Sequence, residues 1–355
     1  MSIVDPVLVN TRAMAALKLL YVADALSMPV HWFYNTQDIY NAFPNGIQKF
    51  EAAPQKHPHD FLALPEVAGK QIVGDVILKD KRKYWGVPNQ HVHQSMRAGE
   101  NTLNAHCARV VTRTLIENAG HYNAQKFLDN YITFMTADIP QHPDTYAESY
   151  HRGFFTHLEQ GFPPNQCGLA AEGTASVGGL VTIAPIAITE LLQERNLLRV
   201  QFICREHLHL THPDETLAKI CDAYVDLIDS LLFRAADEEA KTFIAKTAQA
   251  SANLDLEKLL QKNLDDNEVV GNIYAKSCSI ENSWPSLLYL AYKYNSQPKT
   301  ALLANTNVGG ENCHRGSVLG VIMGLSCADG MDELFGELVD ASAITTEIDK
   351  LVGLA

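Results

Sequence analysis

Two segments far apart in the chain read alike: Ala98-Gly99-Glu100-Asn101-Thr102 and Gly309-Gly310-Glu311-Asn312-Cys313. Each sets Gly-Glu-Asn directly before an apolar-periodic stretch. Each therefore predicts a sharply turned helix start with a carboxylate in the first turn, where the macrodipole favours negative charge. Two such ends facing one another would build an oxygen-rich pocket, with Asn101, Thr102 and Asn312 as further oxygen donors. That pocket suits a hard cation such as Mg²⁺, or it presents Glu100 and Glu311 for acid/base work at a glycosidic bond. Taken singly, each segment is explained as a helix start; the matched pair favours chemistry.

Cys313-His314-Arg315 adds a thiol, an imidazole and a guanidinium beside Glu311. No cysteine-protease signature surrounds Cys313, which reads as structural, while Arg315 is a candidate for binding an anion or for holding Glu100. His91-Val92-His93 points both rings to one side if the segment is extended. With 14 histidines in the chain one such pair arises by chance, so a transition-metal hydrolase recruiting His91, His93 or His314 stands as an alternative. Gly173-Thr174-Ala175-Ser176-Val177-Gly178-Gly179 is a glycine-rich turn whose amides could cradle a phosphate. It has neither the lysine of a P-loop nor a Gly-x-Ser-x-Gly elbow, and a close helix contact explains it equally well. Thr211-His212-Pro213-Asp214-Glu215 reads as a helix start that leaves only His212 without a reason.

Helices must position these groups. Three- and four-residue apolar spacing predicts a first helix from Thr11 to about Ala25 and a second over Thr102–Asn118, stopped at Gly120. Further helices are expected over 124–135, 146–160, 177–193, 213–234, 238–252, 254–262, 285–294, 299–304 and 315–327. Period-two alternation is almost absent. The proline- and glycine-containing stretch 43–88 interrupts the pattern and reads as a long loop or flap. With no linker or solenoid period, residues 1–355 are expected to form one all-α domain.

Lys+Arg number 28 against 41 Asp+Glu, a formal charge of −13, which argues against a general nucleic-acid binder. The longest apolar run, Val177–Ile188, is broken by glycines and a proline, and no membrane helix is expected. No signal segment precedes the first helix, so a cytosolic protein is the expectation. The seven cysteines contain no Cys-x-x-Cys, which speaks against a disulfide framework or zinc ribbon.

Ala23-Asp24-Ala25-Leu26-Ser27-Met28-Pro29-Val30, Gly99-Glu100-Asn101-Thr102, Thr174-Ala175-Ser176, Thr211-His212 and Asn307-Val308-Gly309-Gly310-Glu311, in that order, resemble the ADP-ribosylglycohydrolase family, which includes J-type crystallins. The resemblance implies an all-α fold whose central cleft binds ADP-ribose beside two Mg²⁺ ions and hydrolyses the bond from ribose C1″ to an acceptor. Residue by residue, the family's Thr-Asp-Asp-Thr metal motif falls on Gly99-Glu100-Asn101-Thr102, and its Asp-Thr-Asp-Thr on Glu311-Asn312-Cys313-His314. Asn101, Cys313 and His31 thus stand where the family carries acids, which makes one ion or none the expectation rather than two. Asp24, His31, Thr174, Ser176, His212, Gly309, Gly310, Cys313, His314 and Arg315 are the implied ligand-binding positions. The implied partner is an ADP-ribose-like molecule or ADP-ribosylated substrate, hydrolysed with Glu100 and Glu311 as the catalytic carboxylates. A non-catalytic nucleotide binder or crystallin-like structural protein is the other reading that the lost acids allow.

Overall fold

Asp5 and Pro6 start the first helix. The Asp5 carboxylate accepts from the Val7 amide at 2.9 Å, and Pro6 occupies the first helical position, where its missing N–H costs nothing. The helix therefore begins five residues before the expected Thr11. The computed structural model describes residues 5–62, 79–170 and 175–354, and among these residues there are fifteen α-helices and no strand.

In chain order these are α1 (Pro6–Ser27), α2 (Thr36–Ala42), α3 (Leu103–Glu117), α4 (Ala124–Thr136) and α5 (Ser149–Glu159). There follow α6 (Ile183–Gln193), α7 (Leu197–His209), α8 (Glu215–Leu232), α9 (Ala240–Ala252) and α10 (Leu256–Leu260). The last five are α11 (Ile280–Lys293), α12 (Pro298–Val308), α13 (Asn312–Cys327), α14 (Asp332–Phe335) and α15 (Ala341–Val352). The all-α expectation holds, with one hydrophobic core running from α1 to α15.

At its centre α1 and α13 lie against each other. Gly316, Gly320 and Gly324 repeat every fourth residue along α13 and face α1. A methyl group at Gly324 would come within 2.5 Å of the Ala16 backbone, and one at Gly320 would run into the Leu19 carbonyl. Backbone touches backbone here, and every residue of α13 from Asn312 to Ser326 is buried. This rigid pair fixes what is attached to its ends: Met28 to Trp32 after α1, and Gly309 to His314 at the start of α13.

The structure corrects three expectations. Residues Pro6–Val30 are long and apolar enough to cross a membrane, contrary to the estimate from the longest uninterrupted run, and 89% of their most apolar window is buried within the molecule. The helix is the axis of the core. Helices α2, α7, α14 and α15 were not anticipated; α7 carries polar side chains around most of its circumference and buries only Val200, Cys204, His207 and Leu208, so its apolar stripe is faint. The flap over 43–88 has no α-helix in its described parts, 43–62 and 79–88, yet Ile47, Phe50, Leu62 and Trp85 are buried in the common core. Residues 63–78 of that stretch lie outside the described residues.

Candidate functional site

The turn entering α13 is built so that only glycine fits. Gly309 and Gly310 have φ of 74° and 67°, in the left-handed region where glycine carries no Cβ penalty. A side chain at Gly309 would strike the Phe33 carbonyl oxygen, and one at Gly310 the Lys276 backbone. The segment after α1 is stitched to this turn: the Trp32 amide donates to Gly310 O and the Gly310 amide to Phe33 O, both at 2.9 Å. Trp32 itself has φ of 62°, a strained conformation for a bulky residue that costs about 1–3 kcal/mol. Its indole N–H reaches the Glu311 carboxylate as a result.

Glu311 is the hub. Its Oε2 accepts from Trp32 Nε1 at 2.6 Å. Its Oε1 lies 3.0 Å from His31 Nε2 and 2.6 Å from His314 Nδ1. His31 Nδ1 is 2.6 Å from His93 Nε2, and His93 Nδ1 is 2.7 Å from Asp144 Oδ1. Asp144 Oδ2 accepts from the Leu103 amide at 2.8 Å, so the chain ends on the N-terminus of α3. On the other side His314 Nε2 lies 2.5 Å from the Asn104 amide nitrogen, and Asn104 Oδ1 accepts from Tyr150 at 2.6 Å. Every member of the line Asp144–His93–His31–Glu311–His314–Asn104 is buried.

Burial and charge shift these groups in opposite directions. Burial holds His31 down at about 4 even though Glu311 favours its charged form. His314 is also penalised by burial, but Glu311 overrides this and raises it to about 9. Against burial, His314 and His31 hold Glu311 well below the usual carboxylate range, so it is ionised whenever the chain is folded near neutrality.

A second carboxylate belongs to this site, and no motif in the sequence marks it. Glu148 stands at the N-cap of α5 without capping it. Tyr146, two residues before, packs its ring edge-on at 5.0 Å from Trp32, and Tyr150, two residues after, donates to Asn104. Both neighbours of Glu148 thus touch groups that hold Glu311 or His314. Burial raises Glu148 to about 7, with His314 opposing and Glu311 adding to the rise. Ser176 borders the same region, its side chain paired with Cys278, whose thiol feels both Glu311 and Glu148. The ring of His212 packs tilted against Tyr150, 4.0 Å between centroids, with its Nε2 buried and without a hydrogen-bond partner.

The other sequence-predicted residues are differently placed. Among the described residues no hydrogen bond or ion pair joins Glu100 to Glu311. Glu100 accepts from the Arg97 amide at 2.7 Å and from Arg97 Nε at 2.8 Å, and it lines a separate cleft of about 380 Å³ with His106, His142 and Asp340. Asn101 Nδ2 and the Thr102 hydroxyl donate to Asp24 at 2.9 and 2.6 Å, which closes that knot. The Arg315 guanidinium does not hold Glu100; it is buried under the glycine turn, donating to Asn305 Oδ1 at 2.7 Å and Gly309 O at 2.9 Å. The Asn312 amide donates to Thr306 O at 3.1 Å. Cys313 packs between Met28 and Met96, and its thiol is pushed well above the ordinary range by burial. His91 turns away from the cluster, its Nδ1 accepting from the His93 amide and its Nε2 lying 3.1 Å from Pro29 O. Thr174 lies outside the described residues.

Among the described residues two side-chain groups have the convergence a metal ion needs, His31–Glu311–His314 and His31–His93–Cys313. Neither resembles a magnesium site. Mg²⁺ takes oxygen ligands in near-ideal octahedral geometry, whereas the cluster offers imidazoles and one carboxylate, and the carboxylates of Asp24 and Glu100 are occupied elsewhere. The two magnesium ions that the sequence resemblance implies do not fit these residues.

Comparison with known proteins agrees with the fold. A solved structure described as an ADP-ribosylglycohydrolase-related protein complex superposes with a TM-score of 0.61 at 15% identity, covering 98% of each chain. No curated protein matches the sequence. The family model for ADP-ribosylglycohydrolase matches residues 6–353. The chain therefore belongs to the ADP-ribosylglycohydrolase family.

Proposed function

We propose that the protein hydrolyses the glycosidic bond at the anomeric carbon of an ADP-ribosyl group or a closely related nucleotide glycoside, with Glu148 and Glu311 as its catalytic carboxylates. The observation that carries this reading is the split between them: Glu311 is held ionised by its histidine partners while Glu148 is raised to about 7. Glycoside hydrolysis needs that division of labour, an acid to protonate the leaving group and a fixed negative charge near the oxocarbenium-like carbon. Glu148 in its acid form donates the proton to the departing acceptor atom. Once ionised, it is placed to take a proton from the incoming water. Glu311 cannot serve as the acid, because Trp32 and the two histidines favour its charged form, and its role is electrostatic.

Around this pair the chain supplies positioning. The imidazole of His212 and the hydroxyl of Ser176 border the pair, where a ribose or phosphate oxygen would find donors. Tyr150 orients both Asn104 and His212 and so keeps the two sides in register.

The test is release of ADP-ribose from proteins carrying it through nitrogen and through oxygen linkages, read by chromatography and mass spectrometry. Release by the wild-type chain, lost in Glu148→Gln and Glu311→Gln with the helical circular-dichroism signal intact, supports the assignment. Absence of release from every linkage, with calorimetric ADP-ribose binding retained, would overturn it and leave the non-catalytic nucleotide binder.

A further inference from the structure

The hydrogen-bond chain Asp144–His93–His31–Glu311 carries an imbalance of protons. An ionised Asp144 only accepts, so the proton between it and His93 is on His93 Nδ1. With its Nδ1 proton given to Asp144, the tautomer of His93 that accepts at Nε2 places the proton of the 2.6 Å contact on His31 Nδ1. A neutral His31 is left with a lone pair at Nε2, 3.0 Å from an oxygen of an ionised carboxylate. On this count His31 Nε2 and the Glu311 oxygen are both acceptors, and either one added proton or a shared cation is needed to join them. The third atom at this point is His314 Nδ1, which is buried and lies 2.6 Å from the same carboxylate oxygen as its ion-pair partner, so that a cation bound here takes the place of its proton.

We propose that His31 Nε2, Glu311 and His314 Nδ1 bind one divalent transition ion of the zinc and iron class. Two imidazoles and a carboxylate form a donor set that such ions prefer and that hard alkaline-earth ions do not. A cation there removes the clash of lone pairs. The surroundings are those of a metal site's outer layer: Asp144 through His93 fixes the tautomer and ring plane of His31, Trp32 holds the far oxygen of Glu311, and the Asn104 amide holds the far nitrogen of His314. Nδ1 of His314 serves as a ligand when the Asn104 amide is turned with its oxygen toward His314 Nε2–H, which leaves the amide NH₂ for Tyr150 and His151. The second convergent group, His31–His93–Cys313, is a weaker competitor, because His31 Nδ1 and His93 Nε2 are already engaged with each other. The site shares Glu311 with the proposed hydrolase reading, but metal uptake is read without turnover, so each can fail while the other stands.

Full-length protein without a histidine tag, purified in the absence of chelators, is analysed for metals by mass spectrometry, then stripped and titrated with Co²⁺ under optical absorption. The expected result is one transition ion per chain and d–d bands that excess Mg²⁺ does not remove. His31→Ala and His314→Ala should each lose Co²⁺ binding, and Asp144→Asn, which reaches the site through His93, should weaken it about 10–100-fold. Because buried variants can fail to fold, a second readout uses the wild type alone: Zn²⁺ should raise the melting temperature of the stripped chain and Mg²⁺ should not. No uptake or stabilisation by Zn²⁺ or Co²⁺ would overturn the proposal in favour of an extra proton shared along the histidines. Co²⁺ binding that survives in both histidine variants, or that Mg²⁺ displaces, would overturn it as well.

Discussion

The two Gly-Glu-Asn turns, at residues 99–101 and 310–312, are nearly identical as sequences and opposite in use. Both open a helix with a glycine at positive φ. At the first, Glu100 folds back on the exposed Arg97 of its own loop, and the following Asn101 and Thr102 tie up Asp24. At the second, Glu311 meets two imidazoles and an indole. The difference lies in what the rest of the chain brings within reach. Local sequence sets the turn; distant residues decide whether its carboxylate pairs within its own loop or becomes the hub of a buried cluster.

The largest test of this contrast is Glu311→Gln. It removes the negative charge on which the cluster converges, and turnover should fall by about 10³-fold, measured as ADP-ribose release at saturating substrate. Glu148→Gln follows, with an expected loss of about 10²–10³-fold. It carries a sharper signature in its pH dependence. Glu148 is raised to about 7, so its acid form predominates below that pH and disappears above it. Wild-type kcat/KM should fall by about tenfold per pH unit above about 7, and in Glu148→Gln that alkaline limb should vanish. An unchanged limb in the variant would remove Glu148 from the role of acid.

Next in size comes the turn itself. Gly310→Ala adds a methyl group against the Lys276 backbone at φ of 67°, and the strain and overpacking should cost about 2–3 kcal/mol of stability. Denaturant melts measure it. A destabilisation much below 1 kcal/mol would mean that the backbone of Lys276 moves aside and that the turn does not rigidly aim Glu311.

How much of this was visible in the chain follows from range. The glycines of both turns, the N-terminus of α3 at Thr102, and the stop at Gly120 are local facts of backbone geometry, and the sequence carries them openly. His314 was found because it sits three residues from Glu311, His31 because the family resemblance marks it, and His93 because it stands in a His-x-His pair. Asp144, Asn104, Trp32 and Glu148 were missed. Asp144 lies in a loop of prolines with no motif and reaches His93 across 51 positions; Trp32 reaches Glu311 across 279. Nothing in their neighbours announces such partners. Glu100, assigned from its match to Glu311, lies apart from the cluster, because the exposed Arg97 three residues away offers a nearer partner than any pattern of types reveals. The close packing of α1 on α13 was legible in principle from Gly316, Gly320 and Gly324, whose four-residue spacing puts three small residues on one helix face.

The smallest expected effect is therefore the most discriminating. Glu100 is itself buried, but its partner Arg97 is 70% exposed, and a pair with one end in solvent is worth about 0–1 kcal/mol. Glu100→Gln keeps the shape and an acceptor oxygen for the Arg97 amide. Stability should change by less than about 1 kcal/mol, and ADP-ribose release should stay within about twofold of wild type, since no contact of Glu100 reaches the Glu311 cluster. If Glu100→Gln instead lost turnover on the scale of Glu311→Gln, the two turns would be acting together as an acidic pair across the cleft. The asymmetry drawn between them would then fail, along with the assignment of Glu148 as the second carboxylate.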